Sequence, residues 1–448
     1  MILNWRKPLI LSGLAISGSS IPSYIREIER VSRLSNDEIN KYQQVKLECL
    51  LMHAYQNVPH YRRVLSEANV ISRGKVHLEN FYDIPILTKP DIRKHFQDLQ
   101  SNNKNLRKCF LNRTGGSTGQ PLTFIQDKEY EEQNYANKIY YCKVAGKDIG
   151  ETEMKIWGSE RDIIQSSNDF QKRLKMLLYG RIFENSFVMD KTRIKAILGS
   201  IKKYKPIIIW GYVTSLYILS KYIVDENICV HKPKAVLTTS GTLIEDIRKA
   251  IKCAFDCPVL NVYGCREVGD IAFESIEKGG LNIFQNSHYV ELKDIKSQPY
   301  KEVIITSLNN YSMPFIRYSI GDISSGFCPK PEYSFSKLKN VIGRETAIFK
   351  TKVGSYIPPE FFIHIIGVVF NTGFIDHFQV IQNDYEKVTI KLVLKHDKDE
   401  VALKRIKAAI RSVMGSDCRV DFEIVDSIKP NKSGKFQYTI CELRNENE

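Results

Sequence analysis

The strongest constraint on the fold comes from short apolar runs that alternate with helical segments after about residue 110. Four of these runs, rich in isoleucine and valine, lie at 206–210, 235–237, 259–262 and 303–305. Runs this short and this apolar are typical of strands that are buried within a sheet. Because helical segments separate them, the sequence predicts an α/β fold.

The pattern changes near residue 343, where short strands begin to alternate apolar and polar residues. Two alternating strands, an amphipathic helix and a further strand are predicted, in this order, at 378–381, 388–394, 402–414 and 420–425. This order is typical of a small α+β domain. We therefore predict a large multi-sheet α/β domain over 1–343 and a small, mobile α+β domain over 344–448.

The first part of the large domain, residues 1–105, is predicted to be mainly helical. One helix is indicated by apolar residues at helical spacing, namely Leu47, Leu50, Leu51 and Ala54. Pro59 is expected to end this helix. Thr88 is expected to cap a later, shorter helix that holds Pro90 and Asp91 in its first turn.

The charge balance restricts the classes of partner. The chain of 448 residues has 65 basic and 51 acidic residues, a net charge of +14 that favours anionic partners. No helix-turn-helix, zinc-finger or RNP motif supports nucleic-acid binding, so none is expected. No apolar run reaches roughly 18 residues, so no transmembrane helix is expected. The apolar start at 9–16 lacks a good cleavage site, and we predict a cytoplasmic protein.

The ten cysteines are spread along the chain from Cys49 to Cys441, and no CxxC pair occurs. The nearest group is Cys253, Cys257 and Cys265, and no histidine flanks it at the spacing of a zinc site. We therefore expect free thiols in a reducing compartment and no zinc.

The most distinctive local motif is the segment 113–121, which reads RTGGSTGQP. Its three glycines allow backbone N–H groups to approach an anion closely, and its hydroxyls add further donors. The segment lacks the GKS/T ending of a Walker loop. It is consistent with a phosphate-binding loop or with an ordinary turn.

Two further motifs place a carboxylate just past an apolar run. Tyr263, Gly264 and Glu267 follow the run at 259–262, an arrangement that suits base stacking beside a divalent cation. A core tyrosine and a solvated glutamate are the alternative. Asp322 follows another apolar segment and either accepts ribose hydroxyls or closes a turn.

The remaining two motifs lie near and beyond the domain boundary. Arg344 follows Gly343 where the sequence pattern changes. Lys435 ends the glycine-turned segment 429–435 near the end of the chain. An exposed basic turn is the alternative explanation for this lysine.

Taken in this order, the five motifs resemble the adenylate-forming superfamily of acyl- and aryl-CoA ligases. Within it the chain is similar to phenylacetate–CoA ligase-like proteins, and most similar to their branch associated with capsular polysaccharide synthesis. The lead-in of these proteins is matched by 53–62 and 84–93, and a later stretch by Gly211, Tyr212, Ser215 and Leu216. The resemblance extends from about residue 40 to about residue 440.

The resemblance implies two half-reactions. A carboxylate attacks the α-phosphorus of Mg-ATP and gives an acyl-adenylate and pyrophosphate, and an acceptor then displaces AMP from the acyl-adenylate. The implied cofactors are ATP and Mg²⁺, with CoA as the first choice of acceptor. A carrier-protein thiol, or an amine or hydroxyl of a surface-polysaccharide precursor, is the alternative acceptor. An inactive nucleotide-binding scaffold is the second alternative, and the oligomeric state, monomer or homodimer, stays open.

The resemblance also assigns the nucleotide site. Tyr263 and Gly264 would contact adenine, Glu267 would bind Mg²⁺, and Asp322 would accept the ribose hydroxyls with help from Arg344. The β- and γ-phosphates would be held by Thr114, Gly115, Gly116, Ser117, Thr118 and Gly119. The adenine wall would include Ser240, Gly241 and Thr242.

The remaining implied roles concern the lid and the acid pocket. Lys435 would bridge the acid carboxylate and the α-phosphate from the small domain, which would rotate about a hinge after Arg344. The acid pocket would be lined by Tyr135, Ala136, Tyr140, Trp157, Gly211, Tyr212 and Ser240. Three residues depart from the family pattern and support the scaffold alternative, namely Arg266, Thr242 and Thr346.

Overall fold

The structure is a computed structural model, and it describes the following residues: 4–113, 122–157, 174, 176–186, 191–277, 279–296, 299–329, 334–342, 349–352, 356–357, 362, 365–366, 370, 374–428 and 439–443. The chain divides into two compact units. The larger unit comprises residues 1–243 and 249–341, and the smaller unit comprises 244–248 and 342–448.

The helices and strands are numbered along the chain. The helices are α1 (Arg6–Ile16), α2 (Ile21–Val31), α3 (Asn36–Asn57), α4 (Pro59–Glu67), α5 (Lys89–Lys94), α6 (Lys128–Val144), α7 (Lys191–Tyr204), α8 (Val213–Asp225), α9 (Glu245–Phe255) and α10 (Glu400–Met414). The strands of the larger unit are β1 (Ile71–Ser72), β2 (Lys75–Val76), β3 (Cys109–Arg113), β4 (Thr123–Asp127), β5 (Glu153–Trp157), β6 (Arg181–Asn185), β7 (Ile208–Tyr212), β8 (Ala235–Thr239), β9 (Val259–Cys265), β10 (Gly269–Phe273), β11 (Leu281–Ile283), β12 (His288–Asp294), β13 (Lys301–Ser307), β14 (Tyr318–Ser324) and β15 (Lys337–Leu338). Those of the smaller unit are β16 (Phe349–Lys350), β17 (Tyr356–Ile357), β18 (Ile375–Asp384), β19 (Lys387–Leu394), β20 (Arg419–Ile424) and β21 (Thr439–Cys441).

The lead-in contains the predicted helix with its apolar residues buried. Ser35 caps α3 by accepting from the Glu38 backbone N–H, and the Glu38 carboxylate accepts from the Ser35 backbone in return. The role predicted for Pro59 needs a correction, because α3 ends at Asn57 and Pro59 is the first residue of α4. The backbone N–H of the first residue of a helix has no partner within the helix. Proline lacks this N–H, so it is well suited to the first position. Thr88 caps α5, as predicted.

The larger unit is built on an eight-stranded sheet with the order β15-β11-β10-β9-β8-β7-β5-β6. Strands β6, β5, β7, β8 and β9 are parallel to one another, and β10, β11 and β15 continue the sheet in antiparallel fashion. Three of the predicted apolar runs form the adjacent strands β7, β8 and β9. The fourth forms β13, the centre of a separate antiparallel sheet β12-β13-β14. The predicted α/β, multi-sheet fold is confirmed.

Helix α6 packs against one face of the large sheet. Its residues Ala136 and Tyr141 belong to a buried cluster with Trp210 on β7 and Leu260 on β9. Burial of side chains of this size stabilises a fold by about 1.5–3 kcal/mol each, so this packing fixes where α6 lies relative to the strands.

The smaller unit contains the predicted α+β elements. Its sheet has the order β20-β19-β18-β21, in which β18 and β19 form an antiparallel hairpin. Strands β20 and β21 lie at opposite edges and pair in parallel with β19 and β18. Helix α10 begins at the Asp399 cap and buries an apolar stripe of Ala402, Leu403, Ile406, Ile410 and Met414.

Among the described helices, none has the length and apolar content that a bilayer span requires, although α1 and α2 meet both criteria as a pair that is bent by 108°. All ten cysteines are free thiols.

Candidate active site

The carboxyl ends of the parallel strands β5, β7, β8 and β9 meet at one edge of the large sheet. Open α/β sheets bind ligands at this edge, because the loops there leave a crevice between strands and helices. The predicted site residues at or just beyond these strand ends are Trp157, Gly211, Tyr212, Ser240, Gly241, Thr242, Tyr263 and Gly264.

Tyr263 and Asp322 are brought together by this arrangement. The Tyr263 hydroxyl donates to Asp322 Oδ2 over 2.9 Å, although the two residues belong to different sheets. Burial raises the pKa of the Tyr263 hydroxyl well above its usual value, and the neighbouring Asp322 carboxylate raises it further. The tyrosine therefore stays protonated and holds the carboxylate in one position.

Gly264 lies where strand β9 passes close to β10. A Cβ atom added to it would stand 2.5 Å from the backbone oxygen of Gly269. No larger residue fits without moving the backbone, so glycine at this position keeps the end of β9 against β10.

Glu267 follows β9 in the turn that leads to β10, and its side chain is only 5% exposed. The Tyr318 hydroxyl donates to Glu267 Oε1 over 3.2 Å, and the Lys89 ammonium lies 3.6 Å from the same oxygen. The Gln126 amide donates to the backbone oxygens of Arg266 and Glu267 and so fixes the turn. A buried carboxylate of this kind needs such compensation, because desolvation disfavours its charged form.

The side chains near Glu267 fit a metal that arrives with phosphate oxygens. No group of three or more histidine, cysteine or acidic side chains that could hold a metal occurs among the described residues. Protein sites for Mg²⁺ on nucleotides commonly supply only one or two carboxylates, and the phosphates and waters complete the shell. Glu267 can therefore serve as such a ligand.

His288 is a core histidine. Its Nε2 atom lies 2.7 Å from the Val268 backbone oxygen, and its Nδ1 atom lies 3.0 Å from Ser287 Oγ. Burial lowers the pKa of the ring to about 4, so it stays neutral near neutral pH. Both ring nitrogens already have partners, which leaves neither available for a metal.

Arg266 reaches toward the segment predicted to bind phosphate. Its guanidinium donates to the Arg113 backbone oxygen over 3.3 Å, directly before that segment. The segment 114–119, predicted to bind phosphates, lies outside the described residues, as do Arg344, Thr346 and Lys435. Their roles stay predictions.

Part of the predicted acid pocket is also assembled at the carboxyl edge. The rings of Trp157 and Tyr212 lie 4.5 Å apart between centroids with a 41° tilt. Gly211 is tightly packed, because an added Cβ would lie 2.7 Å from Leu216 Cγ. Ser240 has a left-handed backbone with φ of +61°, which turns the chain sharply after β8.

The other three predicted pocket residues, all on α6, contact different elements. The Tyr135 hydroxyl accepts from Arg181, which stands at the amino end of β6. Ala136 is fully buried in the core beneath α6. Tyr140 packs edge-on against the rings of Phe273, Phe284 and Phe335. Their contact with an acid stays a prediction.

Sequence reasoning missed Lys89, Tyr318 and Gln126 as site residues. Lys89 lies inside the lead-in stretch at 84–93, where the capping signal of Thr88 indicated only a helix start. Tyr318 stands four residues before Asp322 on β14, and an irregularity in the pairing of β14 with β13 lies between them. Strand periodicity alone therefore gave no signal for Tyr318.

Comparison with known proteins finds similar sequences over nearly the whole chain. Residues 349–442 match the sequence model of the CapK C-terminal domain. Protein CapK of Staphylococcus aureus is 26% identical over 427 residues, which cover 94% of this chain and 93% of CapK. The chain is also 22% identical to the phenylacetate-coenzyme A ligase of Escherichia coli (strain K12), over 94% of this chain and 98% of that enzyme.

A solved structure shares the fold of this chain. It is 2-hydroxyisobutyryl-CoA ligase in the postadenylation state in complex with R3-HIB-AMP, with a TM-score of 0.68 and 17% identity. The match covers 92% of each chain. The predicted resemblance to adenylate-forming, phenylacetate–CoA ligase-like proteins is confirmed.

Proposed function

We propose that this protein is an AMP-forming ligase that activates a carboxylic acid with Mg-ATP and passes the acyl group to an acceptor. The observation that carries the proposal is the convergence of Tyr263, Asp322 and Glu267 at the carboxyl edge of the large sheet. Homology to phenylacetate-coenzyme A ligases over nearly the whole chain supports the same conclusion.

In this proposal the nucleoside binds where Tyr263 and Asp322 meet. The tyrosine ring packs against adenine, while the Asp322 carboxylate accepts the ribose hydroxyls. Because the Tyr263 hydroxyl already donates to Asp322 Oδ2, the carboxylate is oriented before the nucleotide arrives. Such preorganisation reduces the entropy that binding has to overcome.

The chemical difficulty of the first step is that an acid carboxylate approaches a phosphate of the same charge. Glu267 would hold the magnesium ion, which neutralises phosphate oxygens when it is bound. Lys89, next to Glu267, and Arg266, next to Arg113, add positive charge near the predicted phosphate segment. Fixed cations of this kind stabilise charge that develops in the transition state.

Lys435 and Arg344 complete the proposed chemistry from the C-terminal part of the chain. Lys435 would bridge the carboxylate and the α-phosphate during adenylation and would withdraw during transfer. The match of residues 349–442 to the CapK C-terminal domain supports a distinct module here.

We propose CoA as the acceptor. The proposal is supported by the phenylacetate-coenzyme A ligases among the homologues and by 2-hydroxyisobutyryl-CoA ligase, whose fold is shared and which has been solved with 2-HIB-AMP and CoA at a TM-score of 0.56. The alternative acceptors are a carrier-protein thiol and an amine or hydroxyl of a glycan precursor, and an assay of AMP release would detect transfer to either.

The deciding experiment is ATP–pyrophosphate exchange with Mg²⁺ across aryl, fatty, amino and hydroxy acids and dicarboxylates. Exchange with one acid class is expected and would identify the substrate class. CoA, amines and sugar nucleotides are then added in turn, and the acceptor is the one that raises AMP release. Absence of exchange with every acid, in protein shown to bind ATP, would contradict the proposal in favour of a scaffold.

A further inference from the structure

A cluster of charged side chains lies between helix α6 and the face of the sheet that α6 covers. Glu153, Lys155 and Trp157 alternate along β5 and therefore project from one face of the strand. Lys155 is in register with Trp210 on β7. Tyr141 of α6 packs against Trp210 with 5.2 Å between ring centroids, so α6 covers this same face.

The cluster contains more basic than acidic side chains. Its basic side chains are Lys138, Lys147, Lys155 and Arg181. Glu153 pairs with Lys147 at 3.2 Å and with Arg181 at 2.9 Å, and Asp270 lies 3.8 Å from Lys138. Among the described residues, Lys155 has neither an ion pair nor a hydrogen bond. Its ammonium instead lies 5.3 Å from the centroid of the Trp210 ring and 5.8 Å from that of Phe183.

Trp210 adds a second unmatched donor. The side chain is 3% exposed, and its buried Nε1 atom has no hydrogen-bond partner within the part of the chain that the structure describes. A buried N–H or ammonium without an acceptor is unfavourable and rare in folded proteins. Two such donors on neighbouring strands are explained if a ligand supplies the missing acceptor.

The position of these donors relates them to the acid pocket. Lys155 lies two residues before Trp157, which at about 3.3 Å per residue places it roughly 7 Å deeper in the sheet than the Trp157–Tyr212 pair. If the reacting carboxylate lies at the carboxyl edge, the far end of the acid points toward Lys155.

We propose that Lys155, assisted by Lys138 and Trp210, selects a carboxylic acid that carries a second negative group at its far end, of which a dicarboxylic acid is the plainest case. This inference rests on the proposed ligase function, because it identifies the substrate class of that same site. Cation–π contact with Trp210 and Phe183 holds the ammonium in place while leaving its three N–H donors for an anion. A neutral far end would leave the ammonium unmatched.

The test measures acid binding to the full chain, independently of catalysis. Two of the three tryptophans are near Lys155, Trp210 in contact with its ammonium and Trp157 two residues along β5, so their fluorescence should respond to a bound acid. The probes are the dianions glutarate and isophthalate, compared with the monoanions butyrate and benzoate. We expect each dianion to bind about tenfold or more tightly than its monoanion partner, the range for a hydrogen bond to a charged group.

Three variants assign the preference to Lys155. Lys155→Met keeps the length and the packing over Trp210 but removes the charge, and it should abolish the preference. Lys155→Arg keeps the charge and should retain most of it. Lys202→Met, an exposed lysine on α7, is the matched control and should bind as the parent does.

Thermal unfolding separates binding from a structural role. Because Lys155 is buried and has no ion pair among the described residues, Lys155→Met should unfold at the same or a higher temperature, whereas loss of a structural lysine would lower it. Equal binding of dianions and monoanions, a preference that survives in Lys155→Met, or no response to either dianion would each overturn the inference.

The pyrophosphate exchange assay then separates the two proposals. Exchange with monoanionic acids alone would leave the ligase function intact and overturn the dianion site. Preferential binding of dianions without exchange would preserve the anion site and contradict the ligase function.

Discussion

Two regions of the large sheet differ in how their polar groups are satisfied. At the end of β9, Tyr263 donates to Asp322, and Glu267 has both Tyr318 and Lys89 as neighbours. In the charged cluster under α6, Lys155 and the indole nitrogen of Trp210 have no hydrogen-bond acceptor among the described residues.

The difference indicates in which part of the proposed site the protein's own residues supply hydrogen-bond partners for the polar groups, and in which part a ligand would supply them. A nucleotide is a constant ligand, so the residues that hold it can be arranged in advance through mutual hydrogen bonds. An acid that differs between relatives is better recognised by donors that the fold leaves unmatched. The first arrangement stabilises the fold, whereas the second sacrifices stability for specificity.

The largest effect is expected for Glu267→Gln, which tests whether the region at the end of β9 binds the nucleotide and its metal. The amide keeps the size of the side chain but removes the charge that a magnesium ion requires. We expect the exchange rate to fall by about 100-fold or more, with a loss of the Mg²⁺ dependence, by analogy with other losses of transition-state electrostatics. Steady-state exchange at several Mg²⁺ concentrations measures both effects.

The control for that variant is Glu67→Gln, an exposed carboxylate at the end of α4, which should exchange at the parental rate. A parental rate and metal response in Glu267→Gln would mean that this carboxylate serves only as a structural partner of Lys89 and Tyr318.

A pH titration of acid binding tests the role proposed for Lys155. Burial lowers the pKa of the Lys155 ammonium to about 8, and the nearby Lys138 contributes in the same direction. The other groups that act on it are Glu153, Arg181 and Cys142. Lys155 therefore loses its proton as the pH rises through about 8, and charging it destabilises the fold below that pH.

Binding of glutarate should accordingly weaken by about tenfold between about pH 7 and pH 9, in proportion to the protonated fraction of Lys155. Binding of butyrate serves as the internal control and should change little. The pKa of Glu153 is lowered to about 2 and that of the Cys142 thiol is raised to about 12, so neither titrates in this interval. A flat pH profile for glutarate would exclude Lys155 as the group that binds it.

The smallest effect concerns the nucleotide side. Tyr263→Phe keeps the ring that would pack on adenine and removes only the hydroxyl that orients Asp322. The loss of one hydrogen bond, about 1 kcal/mol, predicts a rise of about fivefold in the KM for ATP with little change in kcat. Tyr82→Phe, at an exposed tyrosine in the lead-in, is the control. A lower kcat with an unchanged KM would contradict a role in orienting the ribose contact.

Much of this architecture could be predicted from local sequence. Strands β7, β8 and β9 are apolar enough to be identified from their composition alone, and the motifs around Tyr263 and Asp322 indicated a nucleotide site. Local sequence could not show that Lys89, on a helix of the lead-in, approaches Glu267, since this contact depends on the packing of distant segments.

Helix faces and prolines are the other features that local sequence leaves ambiguous. Tyr135 and Tyr140 are predicted to line the acid pocket because α6 follows the phosphate segment, and this stays a prediction. Helical periodicity indicates that such residues are buried, but it does not indicate which end of the strands they face. Pro59 was read as a helix end, although the same residue type is equally suited to a helix start.

The order of strands in the smaller unit has a practical consequence. Strands β20 and β21 occupy opposite edges of one sheet, and the connection between them contains Lys435. The segment that contains the proposed catalytic lysine is therefore preceded and followed by strands of the same sheet, and the strand that follows it, β21, has only three residues. A chain that ends just before Thr439 would still contain every predicted catalytic residue. It would lack β21, however, and so would lose the strand that anchors the segment after Lys435 to the sheet.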